Sequence, residues 1–166
     1  VKKEGDVSVL RIKCPEFTRV SNNVKKALAY QEYAIKQRYF VKKYWGKENI
    51  DVIFSHSLPP ELAYIVGGLK RHFKCEFYLE VPDYTWEDAV AYGYFRKNSL
   101  IGLYYRFWER NMFKVADYIG VPTQGNVSFI RQMYPWINES VFKVFPFWLK
   151  PFVAEKDESL KEQLGL

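Results

Sequence analysis

Residues 7–13 (VSVLRIK) alternate apolar and polar positions with a period of two, the pattern of a half-buried strand. Ser21-Asn22-Asn23 then offers N-cap chemistry for a long helix that runs to about Trp45 and stops at Gly46. Val24, Leu28, Ile35 and Tyr39 recur in it at helical spacing, with Lys25, Lys36, Lys42 and Lys43 outside that stripe. Beyond Gly46, short apolar runs alternate with helical stretches. Strands are predicted at 51–55, 75–79, 118–121 and 141–145. Helices are predicted from Pro59-Pro60 to about Phe73, over 86–92, from the cap Ser99 to about Ala116, and over 125–134. In the Ser99 helix, Ile101, Tyr104, Trp108, Met112 and Val115 form one stripe beside Leu100, Leu103 and Phe107, which predicts a wide buried face. Gly67-Gly68 falls inside a helical pattern and predicts close helix–sheet packing. Strand and helix alternating at this spacing imply an α/β layer architecture with a mainly parallel sheet flanked by helices.

Composition narrows the function classes. The chain has 166 residues, with 25 Lys+Arg against 19 Asp+Glu and a net charge of +6. That length suits one domain with a core needing no disulfide or metal. Apolar residues at 48% and charged ones at 27% exclude disorder and collagen-like repeats, and the 19% aromatic fraction is more than a small core hides. Cys14 and Cys75 are too few and too far apart for a disulfide framework or a paired-cysteine zinc site. No apolar run approaches the roughly 20 residues that span a bilayer, so a soluble protein, or one peripheral to a membrane, is expected. The start at Val1 without Met suggests an excised piece of a longer protein. From about Ala154 the composition turns charged, which gives the expected boundaries: a domain over 1–150 and a linker over 151–166.

In open parallel sheets, ligands bind at the carboxyl ends of the strands, where loops and helix N-termini converge. That rule singles out His56 and Ser57 after the strand ending at Phe54, and Asp83, Glu87 and Asp88 after the strand ending near Leu79. It also singles out Thr123 and Asn126 after the strand ending at Val121. Each has a structural alternative. His56 suits a hydrogen-bonded structural imidazole as well as a role in the cleft, and Asp83 and Thr123 suit helix caps. Glu87 and Asp88 are favoured by a helix dipole in any case. Gly-rich phosphate loops, HExxH, nucleophile elbows and paired metal-binding carboxylates are missing from the sequence.

Several segments in order resemble the N-terminal domain of glycosyltransferase family 4, in its bacterial capsule and O-antigen branch. They are Asp51-Val52-Ile53 followed by Ser57-Leu58-Pro59-Pro60; Glu80-Val81-Pro82-Asp83 followed by Glu87-Asp88-Ala89-Val90 and Gly93; and Ala116-Asp117-Tyr118-Ile119 closing a long helix. The last is Thr123-Gln124-Gly125-Asn126-Val127 followed by Lys143-Val144-Phe145-Pro146. The similarity runs with intervals over about residues 51–150, and its force lies in order and spacing. Trp86 stands where the family usually has Pro, and Phe147-Trp148 where it has Asn and a small residue, so acceptor contacts do not carry over directly.

The resemblance implies one Rossmann-like half of a GT-B enzyme that transfers a sugar from a nucleotide donor without a metal or other cofactor. Residues 7–13 would be a later strand of its sheet, and the tail from Glu158 to Leu166 resembles the turn leading into the donor domain. This half would hold a lipid-linked or glycan acceptor at the cytoplasmic membrane face. His56, Ser57, Asp83, Glu87, Thr123 and Asn126 would line the acceptor side, and Asp83 would position a hydroxyl. The net charge of +6 and the surplus aromatics suit an anionic membrane surface. The donor domain being elsewhere, the segment alone is expected to be inactive. A homodimer would cover a sheet edge left open. Two alternatives rest on the residues alone. Basic residues interleaved with aromatics, as at 36–40 and 104–108, suit a nucleic-acid module, although most of those rings fall on helical core stripes. Exposed aromatics would also suit a protein-interaction domain.

Overall fold

A computed structural model describes residues 1–13 and 22–146. The chain opens with a hairpin, β1 (Lys2–Glu4) and β2 (Val7–Val9), followed by α1 (Asn23–Trp45). Then come β3 (Val52–His56), α2 (Pro60–Gly68), α3 (Lys70–Phe73), β4 (Glu76–Glu80), α4 (Thr85–Ala91) and α5 (Leu100–Val115). β5 (Tyr118–Val121), α6 (Gln124–Met133), a 3₁₀ turn at Glu139–Val141 and β6 (Phe142–Val144) complete the described chain. The four strands β3 to β6 form an all-parallel sheet in the order in which they occur, flanked by helices. The architecture is α/β and consistent with a Rossmann-like fold. Phe77, Leu79, Ile119 and Val121 from the strands meet Met112, Phe113, Val127 and Ile130 from the helices to make the core.

Four expectations are corrected. Residues 7–13 do not join the sheet: Val7–Val9 pairs antiparallel with Lys2–Glu4, Glu4 opposite Val7 across a turn at Gly5, whose φ of 61° suits glycine. The helix expected from Pro60 to Phe73 divides at Leu69. On α1, Val24, Leu28, Ile35 and Tyr39 are 59–64% exposed, and Ala27 and Ala34 are the residues that face inward. The buried face of α5 is centred on Gly102, Tyr105, Glu109 and Met112, so Leu100, Leu103 and Phe107 point to solvent. The residues from 147 onward, including Trp148 and the tail from Ala154, lie outside the described residues, as does Cys14.

Close packing explains one glycine of the pair in α2. A Cβ on Gly67 would lie 2.6 Å from Val115 Cγ2 and 2.7 Å from the Phe77 ring, whereas a Cβ on Gly68 would meet nothing within 4 Å. When neighbouring parallel strands follow one another in chain order, right-handed crossovers put every connecting helix on the same face. The burial pattern agrees. Phe77 and Leu79 of β4 are fully buried under the helices, while Val52 and Phe54 of β3 are 54% and 60% exposed on the opposite face. There Val52, Phe54, Tyr78, Gly120 and Phe145 line a shallow apolar concavity of about 410 Å³. Among the described residues, no helix is long and apolar enough to cross a membrane.

Candidate functional site

The strand ends β3 and β4 open into a cavity of about 590 Å³ on the helix-covered side. Leu58, Pro59 and Pro60 bring the β3–α2 connection to its edge, and Asp83 enters from the turn after β4. Asp88 and Ala89 come from α4, and Tyr92, Tyr94 and Phe95 from the loop between α4 and α5. Tyr105 of α5 and Lys26 and Tyr30 of α1 close it. Five aromatic rings and two carboxylates therefore share one wall with one lysine. Gly93, with φ at 73°, reverses the backbone between Tyr92 and Tyr94. The two rings stand 6.1 Å apart and are 75% and 69% exposed, while Phe95 stacks flat on Tyr105 with centroids 5.4 Å apart. Asp83 is exposed at the rim, and Asp88 Oδ2 accepts a 3.1 Å hydrogen bond from the Tyr84 amide at the start of α4.

Two buried carboxylates lie behind this surface. Glu61, in the first turn of α2, is fully buried, and neither of its oxygens has a hydrogen-bond partner among the described residues. Burial pushes its carboxyl up; the Tyr104 hydroxyl is near enough to ease its charge without reaching bonding geometry. Burial first, and then the charge of Glu61, raise the hydroxyls of Tyr30 and Tyr105 in the cavity wall. The second carboxylate is Glu109 of α5, which accepts from the Trp86 amide at 3.4 Å and from the Tyr134 hydroxyl at 2.5 Å. Its neighbour Glu87 is pushed up to about 7, by burial and then by the charge of Glu109. The Arg106 guanidinium stands 4.0 Å from Glu87 and covers the Trp86 ring at 4.4 Å. The Trp86 indole N–H donates to the Gly102 carbonyl at 2.8 Å, so this group ties α4 to α5 and α6.

The residues singled out from the sequence are spread over five places. Asp83 lies in the cavity, and Ser57 is buried just beyond β3 with no partner for its hydroxyl among the described residues. His56 shares the helix-free face with Val52 and Phe54 and meets Glu80 of the next strand at 3.1 Å. Glu87 belongs to the buried group with Arg106 and Glu109. Thr123 and Asn126 form a reciprocal capping box on α6: the Thr123 hydroxyl accepts from the Asn126 amide at 3.3 Å, and Asn126 Oδ1 accepts from the Thr123 amide at 3.0 Å. Asn126 also donates to the Tyr84 hydroxyl.

Sequence reasoning passed over Lys26, Tyr30, Tyr92, Tyr94 and Phe95, and considered Tyr105 only for stacking on a nucleic-acid base. The legible signal was the Tyr92-Gly93-Tyr94-Phe95 cluster, three rings that no helical stripe accounts for. Among the described residues, no group of three or more His, Cys, Asp or Glu side chains is placed to hold a metal ion. Compared with protein-family models, with curated proteins and with solved structures, the chain matches none of them.

Proposed function

We propose that the chain is the acceptor-holding domain of a glycosyltransferase, which moves a sugar from a nucleotide-sugar donor to a lipid-linked or glycan acceptor in polysaccharide synthesis. The observation that carries the reading is the cavity at the strand ends, where exposed aromatic rings face carboxylates. Sugar rings present apolar C–H faces that pack on aromatic surfaces, and hydroxyl edges that donate to carboxylates. Asp83 is the residue placed to accept from an acceptor hydroxyl. As that oxygen bonds to the donor's anomeric carbon and the bond to the nucleotide breaks, the hydroxyl proton passes to a base in reach, the role assigned to Asp83. The donor is held by a second domain outside these residues, so the segment alone binds acceptor without turnover. The net charge of +6 supports work beside an anionic surface, and the reading places the protein at the cytoplasmic face of the cell membrane.

The test is a titration of the chain with oligosaccharides, followed by acceptor kinetics in the complete enzyme. Saturable glycan binding, with Asp83→Ala lowering kcat at least tenfold in the complete enzyme, supports the reading. Unchanged kcat and KM in that variant remove Asp83 from the chemistry, and turnover of a sugar nucleotide by the isolated chain overturns the division between two domains.

A further inference from the structure

The charge of the cavity opposes that of the chain. The protein carries +6, yet the cavity wall holds Asp83 and Asp88 against Lys26 alone. Neither carboxylate meets a basic side chain in an ion pair among the described residues, and Asp88 is engaged only by the Tyr84 amide.

A second observation concerns the rings. Lys26 Nζ lies 6.0 Å from the centroid of the Tyr30 ring, so an ammonium group already rests over one of the aromatic faces. Aromatic faces attract cations, more strongly as water is excluded. Carboxylates form their stronger hydrogen bonds with charged donors. A neutral sugar uses the rings and one carboxylate but leaves the excess negative charge uncompensated. A pyrophosphate meets two carboxylates and is repelled.

The geometry points to an acceptor glycan that carries a free amino group, its ammonium received by Asp83 and Asp88 and its sugar faces by Tyr92 and Tyr94. The inference rests on the glycan-binding reading and adds a charge to the ligand. It also assigns Lys26 a part: its ammonium stands in for the ligand's over Tyr30 and moves aside when the ligand enters.

The experiment is calorimetric titration of the full chain with two oligosaccharides of one shape. They are a tetramer of β-1,4-linked N-acetylglucosamine and its fully deacetylated counterpart, at a pH where the amines are protonated. The expected result is binding of the deacetylated tetramer at least about tenfold tighter. That advantage falls severalfold in Asp83→Asn, an exposed position where the fold tolerates the change, and again in Asp88→Asn. Because the chain is cationic overall, non-specific attraction works against this outcome and cannot produce it. Equal or tighter binding of the acetylated tetramer overturns the amino-group inference and leaves the glycan reading standing. A preference that survives both substitutions overturns it too, since the charge would then be read elsewhere. Binding of neither tetramer removes both readings together.

Discussion

Gly67 and Gly68 are adjacent at the end of α2, yet only one of them has room for a methyl group. At Gly67 the added carbon would press on Val115 and on the fully buried Phe77 ring, whose neighbours are core side chains unable to move apart. Gly67→Ala is expected to cost about 1–3 kcal/mol through overpacking. Gly68→Ala meets open space and is expected to gain up to about 0.5–1 kcal/mol from the stiffer unfolded chain. Urea denaturation of the two variants checks both signs. Glu87 supports a prediction in pH. Its folded carboxyl titrates at about 7 against an ordinary value of 4.5, so between those limits the folded state holds the proton that the unfolded state has lost. Stability therefore falls as pH rises from about 4.5 through 7, by about 1–2 kcal/mol once solvent screening is allowed for. Glu87→Gln removes that part of the slope, and thermal melts across the pH range measure it.

Among the elements, α6 depends on its cap. Thr123→Ala deletes one arm of the capping box and is expected to destabilise the protein by about 1 kcal/mol. Oligosaccharide affinity should stay the same, because Thr123 does not line the cavity. Denaturation and titration of one variant separate the two roles. Strand and helix positions in the sheet region were legible from period and punctuation, since Pro60, Ser99 and Thr123 mark helix starts where the structure has them. Orientation was less legible, for two physical reasons. α1 packs on α2, and its buried residues are Ala27 and Ala34, small side chains that a search for bulky apolar stripes overlooks, finding the exposed Val24 and Leu28 instead. In α5 the centre of the buried face is Glu109, a charged residue kept inside by Tyr134 and the Trp86 amide, which hydropathy assigns to water. The cavity was half legible. Asp83 follows from the strand-end rule, whereas Tyr30 and Tyr105 reach it only through the packing of α1 and α5 around α2.

At the scale of the molecule, the two faces of the sheet differ in kind. The helix-covered face holds the core, while Phe54 stacks on Tyr78 at 5.6 Å on a face with no helix among the described residues. Parallel sheets are ordinarily covered on both sides. Phe54→Lys is therefore expected to lower the fluorescence of a bound hydrophobic dye severalfold, with a stability loss of no more than about 1 kcal/mol from the broken ring pair. Dye titration beside a urea melt checks both numbers. The order of the strands has a consequence in time as well as in space. Each strand from β4 to β6 finds its partner in the strand made just before it, so every pairing follows chain order. Each pairing still closes the loop of a whole βα unit, Tyr78 opposite Tyr118 being the longest of them, so folding should be slower than that of a helical bundle of the same length. On a ribosome the sheet can lengthen one strand at a time, each new βα unit docking on a finished edge as it emerges.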